Sequence, residues 1–240
     1  MSTTSRGFAG WWRPVTEARA PRTVLFDLDG TFADTLPDLC HALAQALEER
    51  KLAPAPVDVL RPLVSRGARA MAEKACGERV GEDALDALVA RFLTIYGADV
   101  CRHTRLVNGM QALLDELHRR TIAWGIVTNK RREYSEPLMR ALDPLGRAAC
   151  VVSGDSTANA KPHPQPLLHA CKLLGSVPAD CVYVGDAEND VLAARRAGMR
   201  SVAALYGYIA ADDDPHSWRA DTTIDAPREL LAWIDAHRDF

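Results

Sequence analysis

Short apolar runs alternate with amphipathic stretches through the second half of the chain, and few folds accept that pattern. The runs at 122–128, 149–152, 181–185 and 201–205 are rich in strand formers and too short for buried helices. The stretches at 110–120, 132–142, 165–174 and 188–197 instead repeat apolar residues at helical spacing. A strand that is apolar on both faces needs a layer on each side. The alternation therefore predicts an α/β fold, a parallel sheet flanked by helices. The run Thr23-Val24-Leu25-Phe26, closed by Asp27-Leu28-Asp29-Gly30, reads as one more buried strand near the start.

Residues 37–100 break the alternation. Helical patterns at 38–51, 57–63, 68–75 and 83–96 follow one another with no convincing strand between them. The simplest organisation is an all-helical cap, 37–103, inserted after the first strand of a core made of 21–36 and 104–240. Its two connections lie near Thr35 and near 101–106, and a cap joined in this way can open and close. Residues 1–20 hold Gly7, Gly10, Trp11, Trp12 and Pro14 without periodicity and read as an N-terminal tail.

Composition excludes several classes of function. The formal net charge is −3 with both signs interspersed, which leaves no field suited to nucleic acid. No apolar run approaches the roughly 20 residues that span a bilayer, and there is no signal-peptide core, so a cytoplasmic protein without a membrane partner is expected. Cys40, Cys76, Cys101, Cys150, Cys171 and Cys181 are scattered with no C-x-x-C pair. They read as buried reduced thiols, not as a zinc site or disulfide framework. Monomer and homodimer both remain open.

The chemistry-bearing residues fall at strand ends. Asp27 and Asp29 end the first strand before Gly30, whose missing Cβ permits a sharp turn and close ligand approach. Thr128 and Asn129 end a second strand, Lys161 precedes Pro162, and Gly185-Asp186 ends a third strand with Asp190 four residues on. Singly these are a solvated turn, a cap, a loop lysine and a helix N-cap. Together, at the carboxyl ends of parallel strands, they would converge carboxylates, an ammonium and a hydroxyl on one crevice. Three clustered carboxylates repel one another unless a cation sits among them, and Mg²⁺ suits oxygen ligands.

With Asp27-Leu28-Asp29-Gly30-Thr31, Thr128, Lys161 and Gly185-Asp186-Ala187-Glu188-Asn189-Asp190 in that order, the chain resembles the haloacid dehalogenase (HAD) superfamily from about residue 22 to its end. The fold implied is a HAD-like Rossmannoid core, and the helical insertion looks like that family's C1 cap. The resemblance implies that Asp27 attacks phosphorus and forms an aspartyl-phosphate. Mg²⁺ would be held by Asp27, Asp186 and the backbone carbonyl of Asp29. Asp29 would act as general acid and then as general base. Thr128 and the Asn129 amide would hold phosphoryl oxygens, Lys161 would add positive charge, and Asp190 would orient Lys161 or a water on the metal. Departures are small: Phe32 replaces a commoner leucine, Ala187 a frequent polar residue, and His163 lies inside K-P-H-P.

Asp29 speaks against a dehalogenase, which has no leaving oxygen to protonate. It also speaks against a binding protein that has lost its chemistry. A phosphonate hydrolase would need a cap lysine, and Lys51 and Lys74 there read as solvated. The cap helix opening at Ser65-Arg66-Gly67-Ala68-Arg69 is similar to the phosphoglycolate phosphatase group, with Ser65, Arg66 and Arg69 expected to bind a substrate carboxylate. Exposed helix arginines are the plainer alternative. G-A-R-A-M, W-G-I-V-T-N-K, E-P-L-M and Y-G-Y-I resemble N-acetylmuramic acid 6-phosphate phosphatases. The expected substrate is a small carboxylate-bearing phosphate ester, first 2-phosphoglycolate and alternatively the amino-sugar ester.

Overall fold

The computed structural model describes residues 21–77 and 80–237. The tail reading of 1–20, with Trp11 and Trp12, lies outside them. In chain order the strands are β1 (Thr23–Phe26), β2 (Ala33–Asp34), β3 (Arg105–Leu106), β4 (Ala123–Val127), β5 (Val151–Val152), β6 (Cys181–Gly185), β7 (Arg200–Ala204) and β8 (Thr222–Ile224). Six of them form one sheet in the order β5-β4-β1-β6-β7-β8, and every neighbouring pair is parallel.

Side-chain alternation explains the layering. All four β1 residues are buried, and successive ones point to opposite faces. Val24 and Phe26 join a cluster with Ile126, Val184 and the helices α5 (Met110–Arg119) and α9 (Glu229–Ala236). Leu25 joins Tyr183 on the other face, with α7 (Gln165–Leu174) and α8 (Glu188–Ala197). Helix α6 (Arg132–Leu142) follows β4 and buries Leu138 in the first cluster. The expected doubly wound sheet is thus present. Strand β8 and α9 are additions, since Thr222–Ile224 is too short to show a period.

Between β2 and β3 lie α1 (Leu36–Glu48), α2 (Val57–Leu60), a 3₁₀ turn (Arg61–Arg66), α3 (Ala68–Cys76) and α4 (Glu82–Ala98), with no strand among the described residues there. The helix expected at 57–63 tightens after Leu60. Pro62 has no N–H to continue an α-helical ladder, and Gly67, at φ +88°, turns the chain into α3. Helices α1 and α4 pack through Leu43, Leu47, Leu88 and Phe92, all essentially inaccessible. Cutting one such leucine to alanine costs about 2–5 kcal/mol.

The insertion's two connections are tied to each other. Strands β2 and β3 pair antiparallel, Ala33 with Leu106 and Asp34 with Arg105. Buried Asp38 accepts hydrogen bonds from the backbone N–H of His103 (2.9 Å) and Thr104 (2.8 Å) and from the Thr104 hydroxyl (2.7 Å). A carboxylate this well supplied with donors fixes the base from which the helices rise. All six cysteines are thiols outside any disulfide, and no described helix is long and apolar enough to cross a membrane.

Candidate active site

Register sets the site. Phe26 is level with Ile126 on one side and Val184 on the other, so Asp27, Thr128 and Asp186 emerge beside one another just beyond the strand ends. Lys161 arrives from the loop before α7, and Asp190 from the first turn of α8. Carboxylate oxygens of Asp27, Asp186 and Asp190 lie within 4.8 Å of one another, and all three residues are buried. Small residues make the room: a Cβ on Gly30 or Gly207 would collide with Asp186, and one on Gly185 with Asp190.

Each charge has a distinct set of partners. Lys161 Nζ donates to Asp190 Oδ1 (2.7 Å) and Tyr183 Oη (2.7 Å), and stands 2.8 Å from Asp27 Oδ1. That last approach is an ion pair without hydrogen-bond alignment, so Asp27 Oδ1 is buried with no donor. Asp186 accepts from the Thr31 hydroxyl (2.8 Å) and the Tyr208 N–H (2.7 Å). Asp190 Oδ2 accepts from the Ala187 N–H (3.1 Å), closing the first turn of α8. The Asn129 side chain clasps the Lys161 backbone at both ends, donating to its carbonyl (3.0 Å) and accepting from its N–H (2.9 Å).

Burial drives the electrostatics. It pushes the Asp27 carboxyl up to about 6, with the Lys161 ammonium pulling the other way. It pushes Asp186 up to about 8, and the neighbouring Asp27 and Asp190 charges add to the rise. Burial alone would lower Lys161, but Asp190 and Asp27 outweigh it and hold the ammonium above its ordinary value. Negative charge here is in excess of its protein partners, which is the condition a bound cation relieves.

Asp29 is held differently. Its Oδ1 accepts from the Thr35 hydroxyl (2.5 Å) and from Lys130 Nζ (2.8 Å), an ion pair whose side chains are 14% and 9% exposed. Lys130 also lies 4.7 Å from the centre of the Tyr96 ring, which α4 brings over from the insertion. Burial lowers the Lys130 ammonium, but Asp29 and Tyr96 outweigh it and leave it raised.

Asp27, Asp29, Thr128, Asn129, Lys161 and Asp190 all border one cavity of about 260 Å³, whose far wall carries Val64, Met71, Leu93, Tyr96 and Tyr134. Ser65 borders it too, Asp186 lies beside Asp27 and Asp190 without bordering it, and two further expected residues lie elsewhere. Arg69 is exposed and bound to Glu73 (2.9 Å), Glu82 (2.5 Å) and Asp86. Arg66 is exposed on an outer cleft with Glu73 and Lys74. Both assignments are corrected: these arginines leave the 3₁₀ turn and α3 on the side away from the cavity. Lys51 and Lys74 are exposed and do not border it either. His163 is exposed and accepts from the Gln165 N–H.

Sequence reasoning passed over Lys130, Thr35, Tyr96, Tyr183 and Tyr208 as site residues. Lys130 and Tyr208 were visible only as letters inside W-G-I-V-T-N-K and Y-G-Y-I, with no chemistry attached. A lysine one residue past a strand-end Thr-Asn pair was the available signal.

Residues 24–204 match the family model for haloacid dehalogenase-like hydrolases. A phosphoglycolate phosphatase of Xanthomonas campestris pv. campestris (strain 8004) is 44% identical, over 90% of this chain and 98% of that protein. An N-acetylmuramic acid 6-phosphate phosphatase of Pseudomonas putida (strain KT2440) is 40% identical, over 90% of this chain and 96% of that protein. The structure of a predicted phosphoglycolate phosphatase from Haemophilus somnus 129PT superposes with a TM-score of 0.80 at 27% identity, over 89% of this chain and 98% of that one.

Proposed function

The chain belongs to the haloacid dehalogenase-like hydrolase family, and on that premise we propose that it is a Mg²⁺-dependent phosphatase whose substrate is a small carboxylate-bearing phosphomonoester. The observation that carries this is the buried Asp27–Lys161–Asp190 arrangement with Asp186 alongside. It sets an ionisable nucleophile against fixed positive charge at the floor of a cavity.

The donor set fits a hard cation. Every candidate ligand is an oxygen, Asp27 Oδ1 has no hydrogen-bond donor, and burial raises the Asp186 carboxyl as expected of a group built to be charged beside a metal. Asp27, Asp186 and the Asp29 backbone carbonyl would hold it. Bound there, Mg²⁺ would offset the negative charge of nucleophile and phosphoryl group.

The remaining steps belong to the chain. An Asp27 carboxylate oxygen attacks phosphorus, and the bond from phosphorus to the ester oxygen breaks as the aspartyl-phosphate forms. Asp29 gives its proton to the departing oxygen, then takes one from the water that hydrolyses the acyl phosphate. Thr128 and the Asn129 amide receive phosphoryl oxygens, and Lys161, fixed by Asp190 and Tyr183, faces the charge that gathers in the transition state.

The first substrate is 2-phosphoglycolate, on which the Xanthomonas relative is named to act. The second reading is N-acetylmuramic acid 6-phosphate, favoured by the broad apolar wall of Val64, Met71, Leu93 and Tyr96, which a two-carbon ester would leave uncovered. Phosphate release from each ester with and without Mg²⁺ tests the proposal, with Asp27→Asn as the blank. Turnover is expected to need Mg²⁺ and to fall at least about 10⁴-fold in the variant. Equal release by variant and parent would sink the reading.

A further inference from the structure

Among the described residues, three cationic side chains border the cavity: Lys161, Lys130 and Arg131. Lys161 is fully engaged with Asp27, Asp190 and Tyr183. Arg131 is 68% exposed at the rim and paired with Glu133. The Lys130 side chain is 9% exposed, and among the described residues its one carboxylate partner is Asp29, the group that must reach the leaving oxygen if the proposed chemistry is right. The two cap arginines expected to meet a substrate carboxylate point elsewhere.

Building on the phosphomonoesterase reading, we propose that Lys130 is the specificity-determining residue for the substrate's carboxylate, and that this carboxylate replaces Asp29 on the Lys130 ammonium. The exchange conserves charge pairing. A buried ammonium stripped of its partner is costly, whereas one carboxylate handed over for another leaves Lys130 with a counter-ion throughout. Asp29, released, keeps its Thr35 hydrogen bond or turns to the ester oxygen. An ester without the carboxylate leaves Asp29 clamped.

The surroundings support an anion at this point. Tyr96 holds Lys130 through its ring, independently of Asp29. The Tyr96 hydroxyl is itself buried with no hydrogen bond made, a donor that a carboxylate on Lys130 would satisfy. Tyr96 belongs to α4, so the carboxylate site exists only while the helical insertion sits over the core. Recognition and enclosure are then one event.

Matched esters isolate the carboxylate. The ratio of kcat/KM for 2-phosphoglycolate over ethyl phosphate, and for N-acetylmuramic acid 6-phosphate over N-acetylglucosamine 6-phosphate, is read in the parent, Lys130→Met and Arg131→Gln. The parent is expected to favour the carboxylate member of the pair it hydrolyses. Lys130→Met should cut that preference about 30-fold, in line with loss of a charge-assisted hydrogen bond, and Arg131→Gln should move it less than about threefold. A parent ratio near one, an equal fall for both members in Lys130→Met, or a collapse in Arg131→Gln overturns the assignment while phosphatase activity stands. Release of no ester above the Asp27→Asn blank overturns both. If Lys130→Met does not fold, Tyr96→Phe decides, since the ring that holds the ammonium stays in place: a fall of about threefold in the ratio supports the site, and no change overturns it.

Discussion

The cavity's floor and its far wall handle charge in opposite ways. At and beneath the floor, Asp27, Asp186, Asp190 and Lys161 are all buried and interlocked, with Tyr183 and Thr31 as neutral braces. On the wall, the helical insertion turns Val64, Met71 and Leu93 inward and sends Arg66 and Arg69 out to solvent. Parallel strands deliver side chains to one level by register, so the core can place reacting charges to fractions of an ångström. Short helices joined by turns do not share a register. The insertion contributes cover and an aromatic ring, which meets Lys130 of the core.

The sharpest break in that contrast would come from Asp190. It touches Lys161, Tyr183 and its own helix turn. Asp190→Ala leaves Lys161 with Asp27 and Tyr183 and takes the hydrogen bond from the first turn of α8, and buried donors left without a partner cost about 1–3 kcal/mol. Phosphate release should fall by about 100-fold or more, as when a fixed electrostatic group is lost. Chemical denaturation and phosphate release measure the two effects. A variant of parental stability would mean that the floor is not interlocked.

Magnesium sharpens the same contrast. Asp186 sits at about 8 in the folded chain without metal, against an ordinary 3.8, and Asp27 at about 6. Between those values the folded state binds more protons than the unfolded one, so stability must fall as pH rises from about 4 to 8. On the proposed function Mg²⁺ would bind the charged form and cancel the fall. The Tm of the metal-free protein is expected to drop across this range, and the Mg²⁺-induced rise in Tm to be small near pH 5 and several degrees near pH 8. A metal-free Tm that climbs with pH, or a Mg²⁺ shift equal at both ends, would show that these carboxylates are not strained by one another.

What could be read from the residues follows the same division. The apolar runs at 122–128 and 181–185 gave β4 and β6 within a residue or so, because a strand buried on both faces has a composition that nothing else imitates. Once those strands were parallel, Asp27, Thr128 and Asp186 had to meet. Helix starts at Arg132, Gln165 and Glu188 were equally plain. Side-chain direction in the insertion was not. Gly67 at positive φ sets where α3 begins to wind, and so whether Arg66 and Arg69 face inward, but a glycine in a sequence does not announce its φ. Lys130 escaped notice for a related reason: its partners, Asp29 and Tyr96, are 101 and 34 positions away, and no local pattern marks a pairing made by the fold.

The smallest expected effect tests the wall. Arg69 is held by three exposed carboxylates on its own side of the insertion, and ion pairs in solvent contribute little because water screens them and the side chains lose freedom in pairing. Arg66→Ala and Arg69→Ala should therefore leave kcat/KM for a carboxylate-bearing ester within about twofold of the parent, and the double variant the same. The distinction from Lys130 is in the ratio between esters with and without the carboxylate, not in absolute rate. Should the double variant lose that preference, the insertion must swing its arginines inward on substrate binding, and the wall would be a recognition surface in a geometry other than this one.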